Sequence, residues 1–480
     1  MTSTRVFLPR SVLAASLAIA AAGCSFDRPT DRLANTDVPE QFTGPIPADA
    51  DTWPTADWWR QFNSPELDTL ITSAQTQNLD LAAAAARVMQ AEAQARVAGS
   101  ALLPTVNLSA DVSQSGALLR NNNAVTRRSF NAQLGASYEL DFWGKNQANL
   151  AAADEALASS RYDRETVALT VTASVAQTYF QVLALRDRKT IAQQNLVNAN
   201  EVLRIIQARV TAGVASPLDL AQQQAAVANE AAAVPNLDQS ERQARATLAL
   251  LLGLPPQSFD VTAQNLDGLG APIVKPGLPS ELLARRPDVR KAEADLASAD
   301  ANIDGARAAF FPTISLSGSA GLASTALSSL FNPANAAYTI GASLLQTIFD
   351  AGRLQGQYDL TIGQRQELVA SYRSTVLTAF SDVDVALGAV ANLAEEEKQR
   401  KLAADQSEEA YRISQLQYKS GIVDFTAVLS TQSTLFAARD QLSQTQLSRL
   451  QAVVTLFRAL GGGWSDMTPA QATAAEANPQ

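Results

Sequence analysis

A chain that repeats its helix and strand breakers at one constant offset can hardly fold other than as two copies of one unit. Pro104 in LLPTVNLS matches Pro312 in FFPTISLS, 208 residues later. Gly144-Lys145 matches Gly352-Arg353, Gly213 matches Gly421, and Leu252-Gly253 matches Leu460-Gly461 at the same offset. One shared Gly or Pro means little, but four landmarks holding one spacing predict a duplicated helix-and-strand unit built into a single body.

Composition narrows what such a body does. Lys and Arg number 37 against 47 Asp and Glu, a formal charge of -10, and no basic run concentrates the positive charge. That argues against a nucleic-acid partner, which needs a basic surface to meet phosphate. The chain has no histidine, so it lacks the usual general base near neutral pH and the commonest metal ligand. Its single cysteine excludes an intramolecular disulfide and any multi-cysteine metal site. No constellation of carboxylates or of Ser and Lys stands out, so no catalytic residue and no cofactor is expected.

Cys24 has another use. Arg5 and Arg10 precede the apolar run Ser11–Ala22, and Ala21-Ala22-Gly23-Cys24 closes it. A basic start, a short apolar core and small residues at the end describe a signal peptide over residues 1–23. The run is too short for an ordinary spanning helix. Small residues immediately before Cys24 are similar to a lipoprotein cleavage site, although Ala21 stands where Leu is more usual. Cys24 is therefore the expected lipidation site, with acyl chains holding the mature chain to a membrane; the alternative is plain secretion with an incidental cysteine.

Residues 24–63 carry Pro, Asp and Thr with Trp53, Trp58 and Trp59, the pattern of an extended arm whose aromatics dock it or, equally compatible with the sequence, serve as hydrophobic anchors of the first domain. The first repeat, 64–252, opens with a breaker-poor helix from Leu67 to Leu103. Pro104 stops it, and alternating runs at about 105–115 and 129–142 predict a hairpin of two strands. From Asn146 to Thr211 there is no Gly or Pro; a helix of that length spans roughly 100 Å. Gly213 and Pro217 mark a turn, and a return helix runs from about Leu218 towards Leu252. Interior positions are mostly Ala, Gln, Ser and Asn, which suits a thin, closely packed wall rather than a thick core.

The second repeat, 281–460, follows the same course. A helix over about Leu282–Phe310 has Arg286-Pro287 at its start; strands follow at about 313–319 and 338–349, then a long helix over Leu354–Lys419. That helix is interrupted by Gly356, Gly363 and Gly388, and Gly421 marks its turn. Residues 253–280 read as an unrepeated connection and 461–480 as a tail.

Four strands of this length suit a tilted membrane strand, yet four cannot close a barrel, and open edges are intolerable in hydrocarbon. Long arms with small-residue faces need neighbours as well. Several copies side by side remove both deficits. Two other architectures use the same residues: a soluble four-stranded sheet in a periplasmic scaffold that never spans, and a coiled-coil spacer that leaves the amphipathic hairpins idle.

Trp58 to Ser109, WWRQFNSPELDTLI to LLPTVNLS, resembles the outer-membrane factor family of tripartite efflux pumps (TolC-like), more narrowly the lipoprotein branch of OprM and NodT. YELDFWGKNQ at 138–147, RRPDVRKAEADLASADANIDGARAAFFPTISLSG at 285–318 and IFDAGR at 348–353 carry the same resemblance. So do VTAGVASPLDL at 210–220 and YKSGIVDFTAVL at 418–429. The resemblance spans almost the whole mature chain. It implies a mainly α fold with a membrane β-barrel: a trimeric α/β tube in which four strands per chain complete a twelve-stranded barrel above a helical periplasmic tunnel. It implies a homotrimer in outer-membrane lipid, a periplasmic adaptor, and an inner-membrane transporter of the resistance-nodulation-division type supplying the energy. The function implied is an outer-membrane exit channel for small molecules; a type I protein secretion duct uses the same kind of tube.

The residues then take expected roles. Gly213, Ser216, Pro217 and Gly421 belong to the periplasmic tip turns where an adaptor docks, although any helical hairpin needs a glycine there. Asp424 either caps the returning helix or forms a ring of carboxylates at the mouth. Asp219 is its counterpart in location, though not in register. Pro104, Gly144, Pro312 and Gly352 are strand–helix junctions with no chemistry. Trp143 suits a membrane interface, and Phe142 and Phe349 belong to that belt or pack in the junction. Tyr162, Tyr179, Tyr372 and Tyr411 read as helix packing.

Overall fold

The computed structural model describes residues 38–39, 41–45, 54–118, 124–272, 277 and 279–464. Cys24, the signal peptide, Trp53 and the tail beyond residue 464 lie outside the described residues. Eight helices and four strands are described: α1 (Pro65–Gln77), α2 (Leu79–Ser100), β1 (Thr105–Leu118), β2 (Ala124–Leu140), α3 (Lys145–Thr211), α4 (Pro217–Leu251), α5 (Pro279–Arg285), α6 (Pro287–Ala308), β3 (Thr313–Ser324), β4 (Ala336–Leu345), α7 (Arg353–Lys419) and α8 (Phe425–Ala459). Short 3-10 turns lie at Trp58–Phe62, Pro256–Ser258, Leu327–Ser329 and Pro333–Asn335. The repeat is kept to the residue: α2 and α6, α3 and α7, and α4 and α8 each begin and end 208 positions apart.

The helix expected over Leu67–Leu103 is two helices. Asn78 takes an extended conformation (ψ 131°), ends α1 and starts α2. Its Oδ1 accepts from the Asp80 and Leu81 amides at 2.9 and 3.0 Å, while its Nδ2 donates to Leu251 O at 2.8 Å. A buried amide that caps one helix and pins another outweighs the local preference of an Ala- and Leu-rich stretch. The second copy breaks at the equivalent residue, Arg286, because Pro287 forbids helical geometry before it. The helix expected over Leu282–Phe310 is therefore α5 and α6. Gly356, Gly363 and Gly388 do not interrupt α7, and a Cβ at any of them would meet open space. Pro235 likewise sits inside α4, on an exposed face.

The strands differ in length from expectation. All four run further towards the loops, to Leu118, from Ala124, to Ser324 and from Ala336, whereas at the helix end β2 stops at Leu140 and β4 at Leu345 rather than near Phe142 and Phe349. Sheet order is β1-β2-β3-β4, antiparallel throughout. Gly144 (φ 75°) and Gly352 (φ 85°) turn the sheet back into the long helices in the left-handed region that favours glycine. Asp141 then accepts from the Asn146 and Gln147 amides, and Asp350 from that of Leu354, satisfying the first turns.

The wall of small residues holds a dense collar at mid-length. Val171–Leu185 of α3, Val376–Leu387 of α7 and Leu450–Leu460 contribute buried side chains to one core with α1, α4 and the connection. Trp58 stacks on Phe457 at 4.8 Å, and Phe62 meets Phe180 at 5.0 Å. Trp58 and Trp59, expected to dock the arm, are buried in this core. Towards the tips, α3 instead buries Ala192, Asn195 and Ala199.

Candidate functional site

Three features carry the functional geometry: two hairpin tips, a collar holding the connection and arm, and a sheet with two unlike faces. At the first tip, Gly213 (φ 72°) follows α3, and Val214 N donates to Arg209 O at 2.9 Å. Ser216 and Asp219 form a reciprocal capping box, both bonds 3.1 Å, with Pro217 at the first helical position. At the second tip Gly421 (φ 74°) follows α7, and Ile422 N donates to Gln417 O at 2.9 Å. Asp424 caps α8, its Oδ1 accepting from Ala427 N at 3.1 Å. Ser216 and Asp424 are thus the equivalent residues of the two copies; Asp219 corresponds to Ala427.

The tips touch each other. Val202, Ile206, Tyr411, Phe425, Val428, Leu435 and Phe436 form a second, separate cluster that joins α3, α7 and α8. The Arg209 guanidinium lies 4.4 Å from the centre of the Tyr418 ring, and Tyr418 meets Phe425 at 5.7 Å. Burial pushes the Tyr418 hydroxyl up, and the Arg209 charge opposes it. Beyond the cluster, Val214 and Ile422 stand 62% and 71% exposed at equivalent positions of the two turns. Sequence reasoning missed this pair. The signal was present, because the offset that aligns Gly213 with Gly421 aligns these as well.

The collar is held by buried charge that the sequence did not single out. Arg186 donates to Val261 O and Ala263 O, each at 2.6 Å, and to Glu241 and Asp260, each at 2.9 Å. Glu66 accepts from Thr262 N (2.6 Å), Thr262 Oγ1 (2.7 Å), Ala263 N (3.0 Å) and Tyr179 Oη (3.2 Å). Burial pushes its carboxyl up, but these donors outweigh burial and hold it below the usual range. Burial pushes the Tyr179 hydroxyl up to about 12, so it remains a donor at neutral pH. The arm docks on α7: Asp384 accepts from Thr43 N (2.7 Å), Gly44 N (2.8 Å) and the Thr43 hydroxyl. Gly44 lies so close to α7 that a Cβ there would sit 2.7 Å from that of Leu387. These partners are 55 to 341 positions apart, so no local pattern announces them.

Pro104 and Pro312 lie immediately before β1 and β3. Trp143 stacks on Phe311 at 4.7 Å and donates to Pro312 O at 2.8 Å, tying the two copies together at the junction. Phe142 and Phe349 are exposed there. Of the helical tyrosines, Tyr179 and Tyr411 are buried. Tyr162 meets Trp464 edge-on at 5.8 Å, and the Tyr372 hydroxyl donates to Glu293 at 3.3 Å.

Strand register sorts the sheet by residue parity. Val106 opposes Ala136, which opposes Gly318, which opposes Ile340; Leu108 leads likewise to Leu134, Ala320 and Tyr338. The even-numbered face is apolar over its middle rows, with Leu108, Tyr338 and Ile340 79%, 80% and 83% exposed, and turns polar towards the loops, where Arg128 donates to Gln114 at 2.9 Å. The odd-numbered face carries Asn107, Ser109, Ser137, Ser317 and Thr339 around a hollow of about 290 Å³. A soluble sheet buries its apolar face; this one exposes it, along with the outer edges of β1 and β4. Among the described residues, no group of three or more His, Cys, Asp or Glu could hold a metal ion.

The comparisons with known proteins agree with this geometry. The sequence profile described as Outer membrane efflux protein matches residues 70–254 and again residues 278–462, the two copies of the repeat. The chain is 43% identical over 418 residues to the pyoverdine export outer membrane protein OpmQ of Pseudomonas aeruginosa, covering 85% of this chain and 87% of that protein. It is 32% identical over 462 residues to the cation efflux system protein CusC of Escherichia coli O6:H1, covering 95% and 99%. Among solved structures, the open state of the Neisseria gonorrhoeae MtrE outer membrane channel superposes with a TM-score of 0.81 at 30% identity, covering 90% of this chain and 97% of that one. A duplicated chain matched in both halves, with the same fold and an exposed apolar sheet face, belongs to the outer membrane efflux protein family.

Proposed function

We propose that this chain is one protomer of a trimeric outer-membrane exit duct in a tripartite efflux pump. Three copies joined β1 edge to β4 edge make a twelve-stranded barrel, its even-numbered face in lipid and its odd-numbered face around the lumen. The paired long helices of three protomers continue it as a periplasmic tunnel. The observation that carries this is the sheet, which exposes an apolar face between two unpaired edges, a combination that soluble proteins avoid.

The duct is passive. An inner-membrane transporter of the resistance-nodulation-division type supplies energy, and a periplasmic adaptor docks at the tips. There the Gly213-to-Pro217 turn, with Ser216, and the Gly421 turn present Val214 and Ile422 as apolar contacts. Lipidation at Cys24 anchors the arm in the outer membrane, in keeping with the lipoprotein branch of the family. Asp424, a cap in each protomer, becomes one carboxylate of a threefold ring at the mouth, with Asp219 nearby. Trp143 sits at the periplasmic membrane boundary. The relatives named for pyoverdine export and cation efflux show how widely cargo differs among such ducts; the transporter sets it here.

Edge-to-edge assembly is tested by placing Ser109→Cys on β1 and Thr339→Cys on β4 and treating outer membranes with a flexible bis-maleimide. Covalent species of two and three protomers are expected only with both substitutions present. Monomer alone, with both edges freely labelled, overturns the assembly.

A further inference from the structure

The odd-numbered face of the sheet is short of charge. Over its middle rows it presents hydroxyls, amides and backbone only: Asn107, Ser109, Ser137, Ser317, Ser319 and Thr339 line its hollow. Charge enters only at the margins. Asp111 lies on the loop side of those rows and Arg127 further out, one of each sign. On the helix side Glu139 is neutralised by Lys145 at 2.6 Å. The described odd-numbered positions of the four strands carry Asp111, Arg127 and Glu139, a sum of -1 that Lys145 at the start of α3 brings to zero through its pair with Glu139, in a chain that carries -10 overall.

We infer that the membrane section of the duct does not sort solutes by charge: it is a hydroxyl-lined, charge-balanced passage for polar solutes of either sign. This deepens the reading of the chain as an outer-membrane duct and rests on it. Fixed charges of one sign in a narrow low-dielectric passage concentrate the opposite ion and exclude the like one. A balanced lining does neither, while its hydroxyls and amides exchange hydrogen bonds with whatever a cargo presents, as either donor or acceptor. Any ion preference of the whole channel then arises in the helical part.

Reversal potentials of the full-length protein in planar bilayers, under a potassium chloride gradient at about 10 mM, test this. At that salt the Debye length is roughly 30 Å, so a charge on the barrel wall is felt across the lumen. The neutralised pair Asp111→Asn with Arg127→Gln is expected to keep the potassium-to-chloride permeability ratio of the unmodified chain. In a Ser137→Cys chain, labelled after assembly so that folding is not at issue, a negatively charged methanethiosulfonate should raise that ratio about two-fold or more. A positively charged one should lower it similarly. The unmodified chain, treated alike, reports any reaction at Cys24. A conducting channel whose selectivity shifts in the neutralised pair overturns the charge balance, and one that ignores charge placed at Ser137 overturns the assignment of this face as the lining; either leaves the duct itself standing. An unmodified chain that inserts but never conducts overturns the duct itself.

Discussion

Replacing Arg186 by methionine should loosen the collar more than any surface change. The Arg186 side chain is 11% exposed and satisfies two backbone oxygens at 2.6 Å as well as Glu241, itself 12% exposed. Methionine keeps much of the volume and removes all four bonds. Glu241 retains Lys189 at 3.3 Å, so its charge is not wholly stranded. Val261 is buried, and its carbonyl loses its donor. Breaking a buried ion pair from one side costs about 3–5 kcal/mol, and each orphaned carbonyl about 1–3 kcal/mol. With Lys189 as partial relief, about 3–5 kcal/mol in total is expected. Arg161→Met provides the control, because its pair with Glu92 is about half exposed on both sides and is worth about 0–1 kcal/mol. Thermal unfolding of the detergent-extracted protein followed by circular dichroism reads stability, and thermolysin cleavage within residues 253–272 reads release of the connection. Arg186→Met melting together with Arg161→Met, with the connection equally protected, would refute the role of Arg186 in holding the connection to the collar.

Four further outcomes are expected. Leu108→Arg puts a charge on the lipid-facing side at about 2–4 kcal/mol and should deplete the protein from carbonate-washed outer membranes, whereas Ser109→Arg should not; equal behaviour would mean the faces are misassigned. Glu66 has a depressed folded-state pKa, so its contribution is present above the ordinary glutamate range and lost as pH falls through the folded value. The melting temperature should therefore drop below about pH 4 less steeply in Glu66→Gln than in the unmodified chain, and parallel acid profiles would contradict this. Gly421→Ala meets open space and costs only the left-handed backbone, about 1–2 kcal/mol; Gly461→Ala would drive its Cβ to 2.2 Å from Arg285 O and should prevent stable folding. Asp424→Asn keeps a capping side chain and removes the charge, whereas Asp424→Ala loses both; if conductance and ion preference are unaltered in each, that carboxylate is no part of a gate.

Much of this protein was legible in one dimension. A Gly- and Pro-free stretch dictates a long helix because nothing local stops it. A constant offset between breakers dictates duplication, and alternation in the hairpins dictates two-faced strands. These are properties of the backbone and of side-chain period, which act over a few residues. Gly213 and Gly421 were readable as turns for the same reason, and so was Asp424 as a cap.

The tertiary structure decided what depends on groups brought together from far apart. The break at Asn78 turns on Leu251, the collar on Arg186 reaching Val261 and Ala263, and the arm on Asp384 meeting Thr43. The continuity of the apolar face across all four strands needed the register, since a slip of one residue would carry a strand's apolar side chains to the opposite face. Local sequence sets which conformations are cheap; only long-range contact energies choose among them.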